Sequence, residues 1–245
     1  MTFKIKKQQT IALLTVLNVI FFVALMIVSL HYQVPQKVLW KMNLTAKKTV
    51  TNSTYYDMRN SLFSVYKKDS IKIVMLGNSI TAGVEWNELL GRGDIANRGI
   101  GGDITEGFIN RLPDIYGLNP KICFIMGGIN DIGRGLPVDV IVENMRTIVE
   151  NLNSHGIKTV IQSTLYISKQ ADPKKKRNAA VDELNKHLKE ICAEKGLLFL
   201  DVNQTLSSDG ALDEKYTYDG VHLLGSGYEK WRDLLVSVLK NTPLN

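Results

Sequence analysis

Cysteine is scarce in this chain of 245 residues, which contains only Cys123 and Cys192. So few cysteines exclude a disulfide-rich scaffold, and the sequence has no C-x-x-C pair or cluster of His and Cys that would indicate a metal site. Internal repeats and low-complexity tracts are also absent. What remains is an ordinary globular composition, with 44% hydrophobic and 22% charged residues.

The two cysteines lie in apolar surroundings. Cys123 belongs to the apolar run at residues 121–126, and Cys192 belongs to a helical pattern. We predict two buried free thiols, because unpaired cysteine packs as a small hydrophobic residue. A disulfide is the alternative outside the cytoplasm, since the sequence does not define the separation of the two Cα atoms.

A basic surface is missing from most of the chain. Residues 1–70 contain ten Lys or Arg and two Asp, whereas residues 71–245 contain 20 basic and 22 acidic side chains. The net charge of +6 therefore comes from the N-terminal segment. The larger part of the chain has no electrostatic footprint for nucleic acid, so we predict no nucleic-acid partner.

One long hydrophobic run is present at residues 11–30, twenty residues without a charged side chain. A helix of this length spans about 30 Å, the thickness of the hydrocarbon core of a bilayer. Because lysines precede the run, we predict a single membrane anchor with residues 1–10 in the cytoplasm and the rest of the chain outside. The alternative is a cleaved signal peptide and a secreted protein, although such peptides have a shorter apolar run. N-terminal sequencing separates the two, because a mature start near His31 rules out the anchor.

Beyond the predicted anchor, the chain divides at about residue 70. Residues 31–70 are polar and basic without clear periodicity, and we predict a juxtamembrane stalk that partly packs on the domain. Its lysines are candidates for contact with anionic headgroups, and a merely soluble linker is the alternative. Residues 71–245 are predicted to form one folded domain.

The domain alternates short apolar runs with helical stretches. We predict five strands, at 71–77, 94–97, 121–126, 158–164 and 197–202, and helices at 85–91, 103–112, 138–154, 174–195 and 225–240. Short continuous apolar strands separated by helices are typical of a parallel sheet covered on both faces, which is an α/β fold of three layers. In such sheets the ligand site lies at the carboxyl ends of the strands.

Three strand ends carry unusual residues. The first strand runs into Gly77-Asn78-Ser79, which can raise a serine hydroxyl above the sheet. The second is followed by the glycine-rich run from Gly99 to Asp103, and the third by the segment from Gly127 to Asp131, which contains Asn130. Glycines allow backbone N–H groups to face a ligand, and Asn130 offers two amide donors. The glycine run matches neither the dinucleotide motif nor the P-loop motif.

A fourth segment lies near the C-terminus, where Asp219 stands three residues before His222. Catalysis by Ser, His and Asp needs this relation, because the carboxylate orients the imidazole that takes the serine proton. Asp201, Asp209 and Asp213 are alternative acids for this role. Tyr216 and Tyr218 are candidate walls of the substrate site, with simple packing as the alternative.

Together these four segments resemble the Ser, Gly, Asn and His blocks of the SGNH hydrolases, also called the GDSL lipases and esterases. The resemblance covers residues 71–240 and implies a flavodoxin-like SGNH fold with a five-stranded parallel sheet. The glycine run is similar to that of the platelet-activating-factor acetylhydrolase branch, which implies short acyl groups. One departure is Asn78, where the family usually has Asp. The resemblance implies a catalytic triad of Ser79, Asp219 and His222, and an oxyanion hole formed by Ser79, Gly102 and Asn130.

The implied activity is hydrolysis of short acyl esters, acetyl esters above all, through an acyl-enzyme, with no cofactor and no metal. Small acyl esters, acylated sugars and lysolipids are the implied substrates. An O-acyltransferase acting on cell-surface polysaccharide is one alternative, and a non-catalytic binding module with the same fold is another. The sequence does not indicate an oligomeric state.

Overall fold

The computed structural model describes residues 2–31, 54–66 and 69–242, with side chains described for residues 14–29 of the first helix. The chain divides into two units, Met1–Lys47 and Lys48–Asn245. Most of the predicted stalk, at residues 32–53 and 67–68, lies outside the described residues.

In the first unit, helix α1 is Thr2–His31 and includes the whole hydrophobic run. The side chains of residues 14–28 are exposed, and 68% of the surface of Phe22 is accessible. Over the residues whose side chains are described, no helix is both long and apolar enough to cross a membrane. The anchor at residues 11–30 therefore has no support from the structure and stays a prediction.

The second unit is built on one parallel sheet of five strands. These are β1 (Ile73–Gly77), β2 (Ile95–Gly99), β3 (Ile122–Met126), β4 (Lys158–Gln162) and β5 (Leu198–Leu200), in the order β2-β1-β3-β4-β5. Every residue of β1 and β3 is buried, as expected for strands covered on both faces. The predicted three-layer α/β/α fold with a five-stranded parallel sheet is confirmed.

Helices cover both faces of the sheet. They are α2 (Thr54–Val65), α3 (Ser79–Ala82), α4 (Trp86–Leu90), α5 (Thr105–Asn110), α6 (Leu112–Tyr116), α7 (Ile129–Gly133), α8 (Val138–Ser154), α9 (Lys176–Lys195), α10 (Asn203–Leu206) and α11 (Gly225–Lys240). A short hairpin of β6 (Ser207–Ser208) and β7 (Ala211–Leu212) and a 3₁₀ turn (Glu214–Tyr216) precede α11.

Alternate residues of each strand belong to two separate cores. On one face Ile73 and Met75 pack with Trp86 of α4 and Trp231 of α11, whose rings meet edge to face at 4.8 Å. On the other face Val74 and Leu76 pack with α8 and α9. This two-sided burial explains why the strands read as continuous apolar runs. Cys123 and Cys192 both lie in the second core as free thiols, and burial raises the pKa of Cys123 to about 12.

The register of the sheet aligns the ends of three strands. Gly77 of β1 pairs with Gly99 of β2 on one side and with Met126 of β3 on the other. The residues that follow each strand therefore start from the same edge of the sheet. This alignment is what brings the serine, glycine and asparagine segments into one neighbourhood.

Two local elements differ from the sequence-based expectation. Residues 103–112, predicted as one helix, form α5 and α6, separated by Arg111, whose side chain turns into the protein. Residues 54–65, placed in the predicted stalk, form helix α2 on the folded unit. Its Tyr56 hydroxyl donates to the carbonyl of Gly107 at 3.0 Å, and Phe63 is 1% exposed.

Candidate active site

The serine begins a one-turn helix directly after β1. Asn78 caps this helix, because its Oδ1 accepts a hydrogen bond from the backbone N–H of Ile80 at 2.9 Å. The turn is tight at Gly77, where an added Cβ would lie 2.0 Å from the Thr81 Oγ1 and 2.8 Å from the Met126 carbonyl. Only glycine fits at position 77, and this tight turn positions Ser79.

Asp219 and His222 form one compact turn. One oxygen of the Asp219 carboxylate accepts the backbone N–H groups of Val221 at 2.9 Å and His222 at 2.7 Å. The other lies 2.6 Å from the Nδ1 of His222. Burial raises the pKa of Asp219, but the hydrogen bonds from His222 and Val221 outweigh it and hold the pKa below its usual value. The acid thus stays ionised beside the imidazole.

The imidazole joins this turn to the serine. The Nε2 of His222 lies 2.9 Å from the Oγ of Ser79, although the two residues are 143 positions apart in the sequence. The structure therefore brings Ser79, His222 and Asp219 into one hydrogen-bonded chain. About a third of the His222 and Asp219 side chains is exposed, so solvent reaches this chain.

The glycine segment lies against the same strand end. The backbone N–H of Ile100 donates to the Gly77 carbonyl at 3.1 Å. Gly102 has a φ of +73°, which favours glycine, and no atom lies within 4 Å of the place its Cβ would occupy. The Nδ2 of Asn130 donates to the Asp103 carbonyl at 2.8 Å, so Asn130 and the glycine segment are in direct contact.

A buried ion pair between Arg111 and Asp103 holds the glycine segment in place. The Nε of Arg111 donates to the Asp103 carboxylate at 2.9 Å, with both side chains almost fully buried. The guanidinium also donates to the carbonyls of Arg98 at 2.6 Å and Gly77 at 2.9 Å. Burial raises the pKa of Asp103, and the charge of Arg111 opposes this rise. Arg111 thus ties the ends of β1 and β2 to the residue after Gly102.

A second buried acid supports the asparagine segment. Asp131 accepts hydrogen bonds from the backbone N–H of Thr105 at 3.0 Å and from its hydroxyl at 2.5 Å. Burial raises the pKa of Asp131 to about 6. Asn144 also donates to the Thr105 hydroxyl, at 2.9 Å. These contacts were not predicted, because the sequence shows only an acid that follows Asn130 and gives no sign of its partners.

Two exposed tyrosines lie beside the site. Tyr218, 67% exposed, places its ring 5.9 Å from the imidazole of His222 and nearly parallel to it. Tyr55 of α2, 49% exposed, lies close to Gly101, where an added Cβ would be 3.2 Å from its ring. Tyr55 was missed because its segment was assigned to the stalk. Tyr216 shows no such contact with the site. Its ring centre instead lies 4.8 Å from the Nζ of Lys215.

Two other histidines and the alternative acids have partners away from the Ser79 hydroxyl. His155 stacks on Tyr116, and His187 pairs with Glu190. The alternative acids have other partners: Asp201 pairs with Lys189, Asp209 with Lys169, and Asp213 with Lys215. Within the described ranges no group of His, Cys, Asp and Glu side chains is arranged to hold a metal ion.

Comparison with curated proteins finds relatives at modest identity. The N-acylneuraminate cytidylyltransferase of Streptococcus agalactiae is 27% identical over 192 residues, and the match covers 74% of this chain. The chain spans only 43% of that relative's length. The platelet-activating factor acetylhydrolase IB subunit alpha2 of Rattus norvegicus is 28% identical over 166 residues, which cover 64% of this chain and 71% of the relative.

Comparison with solved structures finds the same fold. A candidate acylhydrolase from Bacteroides fragilis superposes with a TM-score of 0.68 at 27% identity. The match covers 81% of this chain and the whole of that one. The sequence model of the GDSL-like lipase/acylhydrolase family matches residues 75–230, which contain all four motif segments. The resemblance found in the sequence is thereby confirmed: the chain belongs to the GDSL-like lipase/acylhydrolase family, whose members are ester-hydrolysing enzymes.

Proposed function

We propose that this enzyme is a serine esterase in which Ser79 is the nucleophile, His222 the general base and Asp219 the acid that orients it. One observation carries the proposal. The Nε2 of His222 is 2.9 Å from the Ser79 hydroxyl, while its Nδ1 is 2.6 Å from Asp219. Both distances suit proton transfer from the serine to an oriented imidazole.

In the proposed reaction, the Oγ of Ser79 attacks the ester carbonyl carbon while His222 takes the hydroxyl proton. The tetrahedral intermediate collapses to an acyl-enzyme, and His222 returns the proton to the leaving alkoxide. Water then attacks the acyl-enzyme by the same route, which releases the acid and regenerates the serine. Asp219 balances the positive charge of the imidazolium throughout.

The oxyanion that forms on the substrate carbonyl needs donors. We propose the backbone N–H groups of Ser79 and Gly102 and the side-chain amide of Asn130. The amide nitrogen of Asn130 carries two hydrogens, and the bond to the Asp103 carbonyl uses one of them. That bond orients the amide and leaves the second hydrogen for the oxyanion.

Asn130→Ala is expected to lower kcat about 10²–10³-fold with a smaller change in KM, because oxyanion donors act mainly in the transition state. Steady-state kinetics on p-nitrophenyl acetate measure both constants. Asn144→Ala is a matched control, since it removes a nearby amide that donates to Thr105 instead. An Asn130→Ala variant with raised KM and unchanged kcat would contradict the oxyanion role.

The substrate class that we propose is a short acyl ester, such as the acetyl ester of a carbohydrate or a lipid. The similarity to a platelet-activating factor acetylhydrolase subunit supports a short acyl group. The exposed rings of Tyr218 and Tyr55 offer apolar faces on which a sugar or an acyl chain can pack. Solvent access to His222 favours hydrolysis over acyl transfer to a polysaccharide, because water must reach the acyl-enzyme.

The decisive test is covalent labelling with a fluorophosphonate, which reacts only with a serine that has been activated. We expect one adduct, located on Ser79 by peptide mapping. The His222→Gln variant should label far more slowly, because the base that activates the serine is gone. An unlabelled wild-type protein, or an adduct on another serine, would favour the non-catalytic binding module instead.

We also propose that the hydrolase domain lies outside the cytoplasm, held by a membrane anchor at residues 11–30. The uncharged run and the lysines before it support this orientation. The N-terminal sequence of the protein isolated from its host should begin at residue 1 or 2. A start near His31 would instead indicate secretion after cleavage.

A further inference from the structure

A cavity of about 380 Å³ lies along the edge strand β2, outside the proposed active site. Its walls come from β2, from residues 82–87, from helix α2 and from Tyr66 and Ile71, which lie between α2 and β1. None of the residues proposed for the triad or the oxyanion hole lines it. The polar side chains on its walls are Arg59, Glu85, Asn87, Asn97 and Arg98.

Arg98 is the most buried of these side chains. It is 3% exposed, and its guanidinium carbon lies 4.6 Å from the centre of the Phe63 ring. Its Nη1 donates to the carbonyl of Asn97 at 3.0 Å, while its Nε has no hydrogen-bond partner. A buried guanidinium with an unused donor is costly, because it has lost water without gaining a replacement.

A second arginine contacts the same aromatic ring. The guanidinium carbon of Arg59, on α2, is 5.1 Å from the centre of the same Phe63 ring, and the Nε of Arg59 also lacks a partner. Burial lowers the pKa of Arg98, the carboxylate of Asp114 raises it, and the charges of Arg111 and Arg59 lower it further. Arg59 is thus near enough for its charge to act on Arg98.

No carboxylate forms an ion pair with Arg59 or Arg98 among the described residues. All 24 Asp and Glu side chains of the chain lie within the described residues, because the undescribed segments contain neither type. Among those residues, every ion pair within 4.0 Å involves cations other than Arg59 and Arg98. Arg111, by contrast, has Asp103. The cavity therefore has two arginines on its walls that no described carboxylate pairs with directly.

We propose that this cavity is a binding site for a phosphate or phosphoester group, held between Arg59 and Arg98. Each guanidinium presents several N–H donors in a planar fork, the geometry that pairs with two oxygens of a phosphate. A doubly charged tetrahedral anion neutralises both arginines, whereas a carboxylate neutralises only one. The amides of Asn87 and Asn97 supply neutral donors on the same walls.

The exposed carboxylate of Glu85 also lines the cavity and opposes an anion. Substitutions at Arg59 and at Glu85 are therefore expected to change the phosphate affinity in opposite directions. Loss of a positive charge at Arg59 must weaken phosphate binding, and loss of the negative charge at Glu85 must strengthen it. A surface that merely attracts phosphate through the overall net charge would respond equally to any arginine.

The test is isothermal titration of the full chain with sodium phosphate, with chloride keeping the ionic strength constant. Wild-type protein should bind one phosphate saturably. Arg59→Gln should raise Kd about tenfold or more, the usual effect of losing a charge-assisted hydrogen bond. Glu85→Gln should lower Kd. The matched control is Arg92→Gln, which removes the same charge from a residue that already pairs with Asp94 at 2.7 Å.

Arg98→Lys provides a second variant, which keeps the charge and loses the planar fork. It should weaken binding, and far-UV circular dichroism would verify its fold. Hydrolysis of p-nitrophenyl acetate by Arg59→Gln should equal that of wild type, so the outcome is separate from the proposed esterase activity. The proposal is overturned if wild type shows no saturable binding, or if Arg92→Gln weakens binding as much as Arg59→Gln.

Two sources of the phosphate group can be told apart in the same titration. Dihexanoyl phosphatidate presents the group as a lipid headgroup, and inorganic phosphate presents it free. Tighter binding of the phosphatidate, lost in Arg59→Gln, identifies a headgroup site. Equal binding of both identifies a site for the phosphate group alone. If Arg59→Gln changes the affinity of neither ligand, the phosphate does not bind in this cavity and the proposal is wrong.

Discussion

Ser79→Ala is expected to abolish ester turnover, with a loss in kcat on the order of 10⁶, the scale measured when the serine of a catalytic triad is removed. The reason is that no other hydroxyl is hydrogen-bonded to the imidazole of His222 among the described residues. Hydrolysis of p-nitrophenyl acetate, followed to high enzyme concentration, measures the residual rate. Thermal unfolding should change little, since the side chain loses one oxygen at a partly exposed position.

The matched control is Ser237→Ala, which removes an exposed hydroxyl of α11 that bonds only the Leu234 carbonyl. It should retain wild-type turnover. His222→Ala should cost about as much as Ser79→Ala, and the double variant little more, because the two groups act as one unit. Turnover by Ser79→Ala at the wild-type rate would refute the assignment of the nucleophile.

Arg111→Met is expected to have the largest effect on stability, about 3–5 kcal/mol in the free energy of unfolding. The change leaves the Asp103 carboxylate buried without its counter-charge and removes donors from the carbonyls of Gly77 and Arg98. Urea denaturation followed by tryptophan fluorescence measures the loss. Trp86 and Trp231 are both fully buried and report directly on the core.

Arg92→Met serves as the control for an ion pair at the surface. Its partner is Asp94 at 2.7 Å, but the Arg92 side chain is 36% exposed, so we expect a loss below about 1 kcal/mol. Neutralising both members of the buried pair, as in Asp103→Asn with Arg111→Met, should cost less than the sum of the single changes. An Arg111→Met variant as stable as the control variant would show that the pair contributes nothing.

Much of the fold could be predicted from the sequence, because burial determines the pattern of apolar residues along each strand and helix. Strands that are covered on both faces read as continuous apolar runs, and the predicted helix at residues 138–154 has the same bounds as α8. Helix α2 could not be predicted in the same way. It is short, and it is held by contacts with distant residues, such as the bond from Tyr56 to Gly107. Local sequence contains no trace of such partners.

The candidate site likewise has parts that the local sequence predicts and parts that depend on distant contacts. The sequence placed Ser79, Gly102 and Asn130 at three strand ends, and parallel register then requires them to be neighbours. It could not supply the distance from Ser79 to His222, which depends on how α11 and its preceding turn pack. Nor could it identify Arg111 as the residue that ties two strand ends together. A lone arginine in a helical pattern looks like any surface residue until its buried partner is known.

The turn that contains Asp219 and His222 has a consequence for how the enzyme matures. Asp219 and His222 belong to one four-residue turn, in which the Asp219 carboxylate accepts the backbone N–H groups of Val221 and His222. Assembly of the reactive centre therefore needs a single distant pairing, between positions 79 and 222. During synthesis Ser79, the proposed nucleophile, leaves the ribosome long before His222, its proposed base. In the proposed mechanism a growing chain thus has an inert serine until synthesis has passed residue 222.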